Sequence, residues 1–160
     1  MNIFVAGSRN YPQPQEVIQF LYQLATQMPD TILVTGKNGI VADTAEQYAK
    51  TIGLEVIGLK PTQVDATRYE MTVWAYGDLA EAIVQECKLR EVDSKFDTFS
   101  ACAYFRSMYG VGISDRLVAF WDGQSPGTAQ EIELAHVKRI PVSLKSPGRA
   151  MVQVERGVTL

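Results

Sequence analysis

The segment DGQSPGTAQE, residues 122–131, combines a turn that could bind phosphate with a glutamate just beyond it. The N–H groups of Gly127 and Thr128 and the hydroxyl of Ser125 would form a nest for a phosphate. Cleavage of an N-glycosidic bond builds positive charge at the anomeric carbon, which the carboxylate of Glu131 would stabilise or attack. The segment therefore predicts a phosphosugar site with Glu131 as a catalytic residue.

The same residues also fit a plain helix start. Thr128 and Glu131 have the spacing of a capping box, in which the glutamate bonds the N-cap amide. Ser125-Pro126 offers another start, with serine as N-cap and proline at the first helical position. Asp122 is predicted to orient a ribose hydroxyl or donate a proton, and it equally suits a turn before Gly123. These alternatives stay open at the level of sequence.

Two further polar turns follow short apolar runs. Residues 2–6 lead into Gly-Ser-Arg-Asn, and residues 31–35 lead into Gly-Lys-Asn-Gly. Glycine lets backbone amides approach a ligand, and arginine is suited to binding a phosphate or a planar base. Lysine in the second turn would supply a further charge. The predicted binding residues of the three turns are Gly7, Ser8, Arg9, Gly36, Lys37, Gly39, Gly123, Ser125, Gly127 and Thr128.

The elements that must position these turns alternate between strands and helices. Residues 2–6, 31–35 and 54–59 read as buried strands, and residues 15–28 and 41–52 carry helical apolar spacing. The pattern lapses over 62–110 and then resumes with a strand at 116–121, a helix at 127–138 and a strand at 140–144. We predict one α/β domain over 1–160: a Rossmann-like, doubly wound parallel sheet of about five strands, with a helical insertion before the fourth strand.

In such a sheet, ligands bind outside the carboxyl ends of the strands. The three turns would open on that one edge, and two of them lead into helices whose N-termini favour anions. Convergence of three glycine-containing turns predicts a nucleotide or a nucleotide-derived ligand at this edge.

The segments FVAGSRN, TGKNGIVADTAEQYA and DRLVAFWDGQSPGTAQEIELA resemble the SLOG superfamily of Rossmann-like domains. That group includes the Lonely Guy phosphoribohydrolases, the DNA-processing protein DprA and many sensors of nucleotide ligands. The last segment is also similar to nucleoside deoxyribosyltransferases and deoxynucleoside-monophosphate hydrolases, in which the serine touches phosphate and the glutamate attacks the sugar. The resemblance extends over about residues 2–60 and 103–144. It adds Arg106 to the predicted site, because relatives carry an arginine ahead of the fourth strand.

The Lonely Guy motif PGGxGTxxE is kept only in its second half, as Gly127-Thr128-x-x-Glu131. Three functions follow as hypotheses: an N-glycosidase acting on a nucleoside monophosphate, a non-catalytic nucleotide sensor, and a DprA-like DNA-handling module. The altered first half favours binding alone, and the retained glutamate favours hydrolysis. The insertion at 62–110 would either close over a ligand or build a homodimer surface, as helices do in relatives.

Composition narrows the class of protein. A formal net charge of −3, without a run of Lys and Arg, argues against nucleic acid as a partner. A single histidine and no Cys/His cluster predict no metal site, and we assign no cofactor. The N-terminus lacks the pattern of a signal peptide, and no stretch reaches the length of a membrane span. We expect a cytoplasmic protein without a membrane partner.

Overall fold

A computed structural model describes residues 1–37, 39–59, 66–83, 85 and 95–154 of the chain. Their centre is a six-stranded sheet in the order β3-β2-β1-β4-β5-β6. Neighbouring strands from β3 to β5 run parallel, and β6 pairs antiparallel with β5. The predicted α/β, Rossmann-like architecture is confirmed. The strands are β1 (Asn2–Gly7), β2 (Ile32–Thr35), β3 (Glu55–Gly58), β4 (Arg116–Phe120), β5 (Val142–Lys145) and β6 (Val152–Val154).

Helices pack on both faces of this sheet. Helices α1 and α2 share one apolar cluster with one set of strand side chains, and α3, α4 and α5 share a second cluster with the other set. Along β1, Ile3 and Val5 enter the first cluster while Phe4 enters the second, because successive strand side chains alternate between faces. The helices are α1 (Gln15–Gln27), α2 (Ile40–Thr51), α3 (Ala66–Tyr76), α4 (Lys95–Gly112) and α5 (Pro126–Lys138).

The apolar patterns account for these elements. The central strands are buried on both faces, so they read as continuous apolar runs. Helix α1 buries Val17, Leu21 and Leu24, which are spaced at one helical turn. The helix and strand boundaries agree with the sequence expectations to within about two residues.

The structure adds detail where the sequence pattern was weak. The tail forms β6 at the sheet edge, where its alternating MVQVE segment is compatible with an edge strand, so the sheet has six strands where about five were expected. Within the predicted insertion, 62–110, the described residues are helical in α3, in 78–83 and in α4, which continues to Gly112. Residues 60–65, 84 and 86–94 of this region lie outside the described residues. None of the described helices is both long and apolar enough to cross a membrane.

The strand order fixes where loops can meet. From β1 the chain crosses over to β2 on one side, whereas β4 lies on the other side of β1. The loops after β1 and β4 therefore leave adjacent strands at the point where the winding reverses, which is where ligands bind in open parallel sheets.

Candidate functional site

The three predicted turns meet at the carboxyl edge of the sheet. Ser8 is buried, and its Oγ accepts a hydrogen bond of 3.0 Å from the amide of Asp122, which joins the loop after β1 to the loop after β4. The amide of Ile40 donates to the carbonyl of Arg9 over 3.0 Å, which joins the loop after β1 to the start of α2. These two hydrogen bonds hold the three loops next to one another.

Gly39 allows the second of these contacts. It is the N-cap residue of α2 and has a φ of 108°, which side-chain-bearing residues rarely adopt. A Cβ at this position would lie 2.6 Å from the Cα of Arg9. The close approach of the two loops therefore requires glycine here.

Asp122 forms the turn after β4. Its Oδ1 accepts hydrogen bonds of 2.9 Å from the amides of both Gln124 and Ser125. These backbone hydrogen bonds hold the pKa of the Asp122 carboxyl below its ordinary value. The carboxylate is therefore ionised at neutral pH, which suits it to orienting a sugar hydroxyl better than to donating a proton. Its contact with a ligand stays a prediction.

The predicted capping box at Thr128 and Glu131 is wrong. Helix α5 begins at Pro126, with Ser125 as its N-cap residue, so the Ser-Pro alternative is the one that forms. Thr128 then lies in the first turn, and Glu131 is too far along the helix to reach the N-cap amide. Both side chains point inward instead, with 1% and 4% of their surface exposed. Glu131 therefore does not cap the helix.

The carboxyl of Glu131 is buried, within the influence of the Arg106 charge and in hydrogen-bond contact with Ser107. Burial raises its pKa from 4.5 to about 7, against the opposing effects of the Arg106 charge and a hydrogen bond from Ser107. The Ser107 hydroxyl donates to Oε2 over 3.1 Å. Both protonation states of Glu131 are therefore populated near neutral pH, which is the property expected of a catalytic carboxyl.

Arg106 connects this carboxyl to the second loop. Its Nη1 donates to the carbonyl of Gly36 over 2.9 Å, and the guanidinium is buried. Burial lowers the pKa of Arg106, and the charge of Glu131 opposes that change. Arg106, which the resemblance added to the predicted site, therefore interacts with both Gly36 and Glu131.

Two buried donors at this place have no hydrogen-bond partner in the part of the chain that the structure describes. They are the Nε–H of Arg106 and the hydroxyl of Thr128, which lies one helical turn before Glu131. Buried polar groups in folded proteins are nearly always satisfied, because an unpaired buried donor costs about 1–3 kcal/mol. Both donors therefore lack, among the described residues, the partner that a buried polar group usually has.

Lys37 is already engaged within the protein. Its ammonium lies 2.7 Å from Oε2 of Glu46, and Oε1 of Glu46 accepts a hydrogen bond of 2.6 Å from Thr35. Burial opposes ionisation of Glu46, but the hydrogen bonds from Lys37 and Thr35 outweigh it and hold its pKa below the ordinary value. The predicted role of Lys37 toward a ligand stays a prediction, since binding would have to compete with this pair.

Arg9, in the loop after β1, has a charged group that remains available to bind an anion. Its side chain is exposed, and among the described residues its guanidinium makes no hydrogen bond or ion pair. Its carbonyl, by contrast, is tied to α2. Arg9 can therefore reach an anion without breaking an existing contact.

Ser107 and Glu46 were not predicted from the sequence. Ser107 follows Arg106 within a helix of the insertion, and nothing in its local sequence distinguishes it from an ordinary helical serine. Glu46 lies on α2, where the helical pattern alone indicates no contact with Lys37 or Thr35. Both are recognisable only through the partners that the fold brings to them.

A separate groove of about 480 Å³ lies between α1 and strands β4 to β6. It is lined by Phe20, Val118, Arg116 and Met151, among others, and contains none of the predicted site residues. Within the described ranges, no group of three or more His, Cys, Asp or Glu side chains could hold a metal ion. Arg116 in this groove also has a buried Nε–H without a partner among the described residues, so that feature does not distinguish the two places. We place the candidate site at the carboxyl edge because the three predicted turns and the carboxyl with the raised pKa lie there.

No protein-family model, curated protein or solved structure matches this chain. An assignment of function therefore depends on the chemistry of the residues gathered at this edge of the sheet.

Proposed function

We propose that the chain binds a nucleoside monophosphate at the carboxyl edge of its sheet and cleaves the N-glycosidic bond with Glu131. The observation that carries this proposal is the buried carboxyl of Glu131, which interacts with the charge of Arg106, the residue whose Nη1 holds the carbonyl of Gly36 in the second loop. The pKa of this carboxyl is about 7, and it lies beside Arg106 and two donors without partners. A protein that needed only a stable helix would gain nothing from ionising a carboxyl there.

The loops around this carboxyl are suited to a phosphate. The first amides of α5, at Gly127 and Thr128, lie at the positive end of the helix dipole and precede the first intrahelical hydrogen bonds. Ser125 makes no side-chain capping bond, so its hydroxyl remains free to contact a phosphate oxygen. Arg9 would add a charge-assisted hydrogen bond from the adjacent loop.

The carboxyl then acts on the sugar. In its ionised form Glu131 stabilises or attacks the oxocarbenium-like carbon that forms as the base departs. The Arg106 guanidinium supports that ionised form, as the opposing influence of each charge on the other's pKa indicates. Water then completes hydrolysis to free base and sugar phosphate.

A second candidate function is nucleotide binding without hydrolysis, as in a SLOG-type sensor. The observation that favours it is the low exposure of Glu131, at 4%, which restricts access to its carboxyl. Replacement of Pro-Gly-Gly by Gly123-Gln124-Ser125-Pro126 points the same way, since Asp122 already occupies two amides of that turn.

Incubation with a panel of ribo- and deoxyribonucleoside monophosphates separates the two functions. Release of free base is followed by chromatography and binding by calorimetry, for wild type, Glu131→Gln and Glu133→Gln. Glu133 is an exposed glutamate on the same helix, so its variant controls for loss of charge. Hydrolysis that only Glu131→Gln abolishes supports the enzyme. Binding of intact nucleotide, equal in all three proteins, supports the sensor and refutes catalysis by Glu131.

We also propose a homodimer formed through the helices of the insertion. Trp74 and Met71 on α3 are 82% and 43% exposed, which is high for large apolar side chains. Sedimentation of wild type and Trp74→Lys tests this, and a wild-type protein that sediments as a monomer refutes it.

A further inference from the structure

Ser107 supplies the one direct hydrogen bond that the carboxyl of Glu131 receives from the described residues. Its Oγ lies 3.1 Å from Oε2, and both side chains are buried, with 4% of each exposed. Oε1 accepts no hydrogen bond from the part of the chain that the structure describes. The two carboxyl oxygens therefore differ: Ser107 holds Oε2, and none of the described residues holds Oε1.

Helix α4 presents two consecutive polar residues to the site in different ways. Arg106 uses its Nη1 to hold the Gly36 carbonyl, and it influences Glu131 through its charge without a direct hydrogen bond. Ser107 touches the carboxyl itself. Because the guanidinium is positively charged, Arg106 favours the ionised carboxylate over the neutral carboxyl. A serine hydroxyl both donates and accepts, so it can remain bonded to Glu131 in either protonation state.

We propose that Ser107 is a positioning residue for Glu131. It holds Oε2 and directs Oε1 toward the sugar of the bound nucleotide. Its hydrogen bond also favours the ionised form of this buried carboxyl. The effect of Ser107 on catalysis rests on the proposed function. The effect of Ser107 on the titration of Glu131 can be measured without any hydrolysis.

The expected consequence follows from the direction of the hydrogen bond. Donation from Ser107 stabilises the ionised carboxylate and so lowers the pKa of Glu131, in opposition to burial. Removal of the hydroxyl therefore leaves a carboxyl that ionises at higher pH. Hydrolysis that needs the ionised form would lose activity on the acidic side of its pH profile.

The test compares wild type with Ser107→Ala, Ser107→Thr and the control Ser114→Ala. Ser114 is also buried, but its hydroxyl donates to the carbonyl of Gly110 and makes no contact with Glu131. Titration of the Glu131 carboxyl is followed by carbon-13 NMR, with Glu131→Gln identifying its signal. Hydrolysis of nucleoside monophosphates is measured over the same pH range.

We expect Ser107→Ala to move both midpoints to higher pH by roughly one unit, which is about tenfold less hydrolysis on the acidic limb. Ser107→Thr, which keeps the hydroxyl, should restore them, and Ser114→Ala should leave them unchanged. Identical titration of Glu131 in folded Ser107→Ala and wild type would overturn the proposal. If wild type releases no base, the catalytic function fails, while the NMR titration alone still decides the role of Ser107.

Discussion

Replacement of Glu131 by glutamine should stabilise the protein at neutral and alkaline pH. Burial raises the pKa of Glu131 from 4.5 to about 7 in the folded chain. The folded state therefore binds more protons than the unfolded state between these two pH values, so the free energy of unfolding falls as pH rises through that window. Glutamine resembles the protonated carboxyl in shape and has no charge to bury.

The magnitude follows from the two pKa values. One pKa unit corresponds to about 1.4 kcal/mol, so ionisation of the buried carboxyl costs about 3 kcal/mol above pH 7. We expect Glu131→Gln and wild type to have nearly equal free energies of unfolding near pH 4.5. Their difference should grow to about 3 kcal/mol in favour of the variant by pH 8.

Urea denaturation between pH 4.5 and 8 measures this difference. Trp121, which is buried at the end of β4, provides a fluorescence signal next to the site. Glu133→Gln, on the exposed side of the same helix, should follow wild type at every pH. A constant difference between Glu131→Gln and wild type across the pH range would refute the argument, since it would show that burial does not control this carboxyl.

Four further outcomes are expected. Arg9→Ala should weaken nucleoside monophosphate binding at least severalfold by calorimetry without changing the urea midpoint, because the side chain is exposed; unchanged affinity would remove Arg9 from the site. Gly39→Ala should lower the free energy of unfolding by about 2 kcal/mol in urea, because its φ of 108° and the nearby Arg9 backbone exclude a Cβ. Tyr11→Phe should cost about 1 kcal/mol in the same assay, because the Tyr11 hydroxyl donates to Glu16 over 2.8 Å; a neutral effect would show that Lys145 and the Gly148 amide are enough to hold Glu16. Lys138→Met should cost about 2 kcal/mol in urea, because the Lys138 ammonium bonds carbonyls at the end of α4, and the loss should not depend on added nucleotide.

The strands and helices could be predicted because each is encoded by an apolar pattern within its own short stretch of sequence. Continuous apolar runs such as residues 2–6 indicate strands covered on both faces, and the spacing of Val17, Leu21 and Leu24 indicates a helix with one buried face. The strand β6 was less evident because it has three residues and lies at an edge, where only one neighbour constrains the pattern.

The start of α5 shows where local information is ambiguous. Ser125-Pro126 and Thr128 with Glu131 are both good helix starts, and the sequence permits either. Asp122 resolves the choice by binding the amides of Gln124 and Ser125, which sets the turn and starts the helix at Pro126. Glu131 therefore lies beyond the first turn and does not cap the helix.

The sequence alone determined that strands alternate with helices and that glycine-containing turns follow three of the strands. Only the tertiary structure decided that Glu131 lies in the interior beside Arg106 and Ser107, which are 25 and 24 positions away along the chain. Strand order and helix packing set that proximity, and proximity sets both the desolvation and the charge interactions that control an ionisable group. The chemistry of this carboxyl is therefore a property of the folded chain.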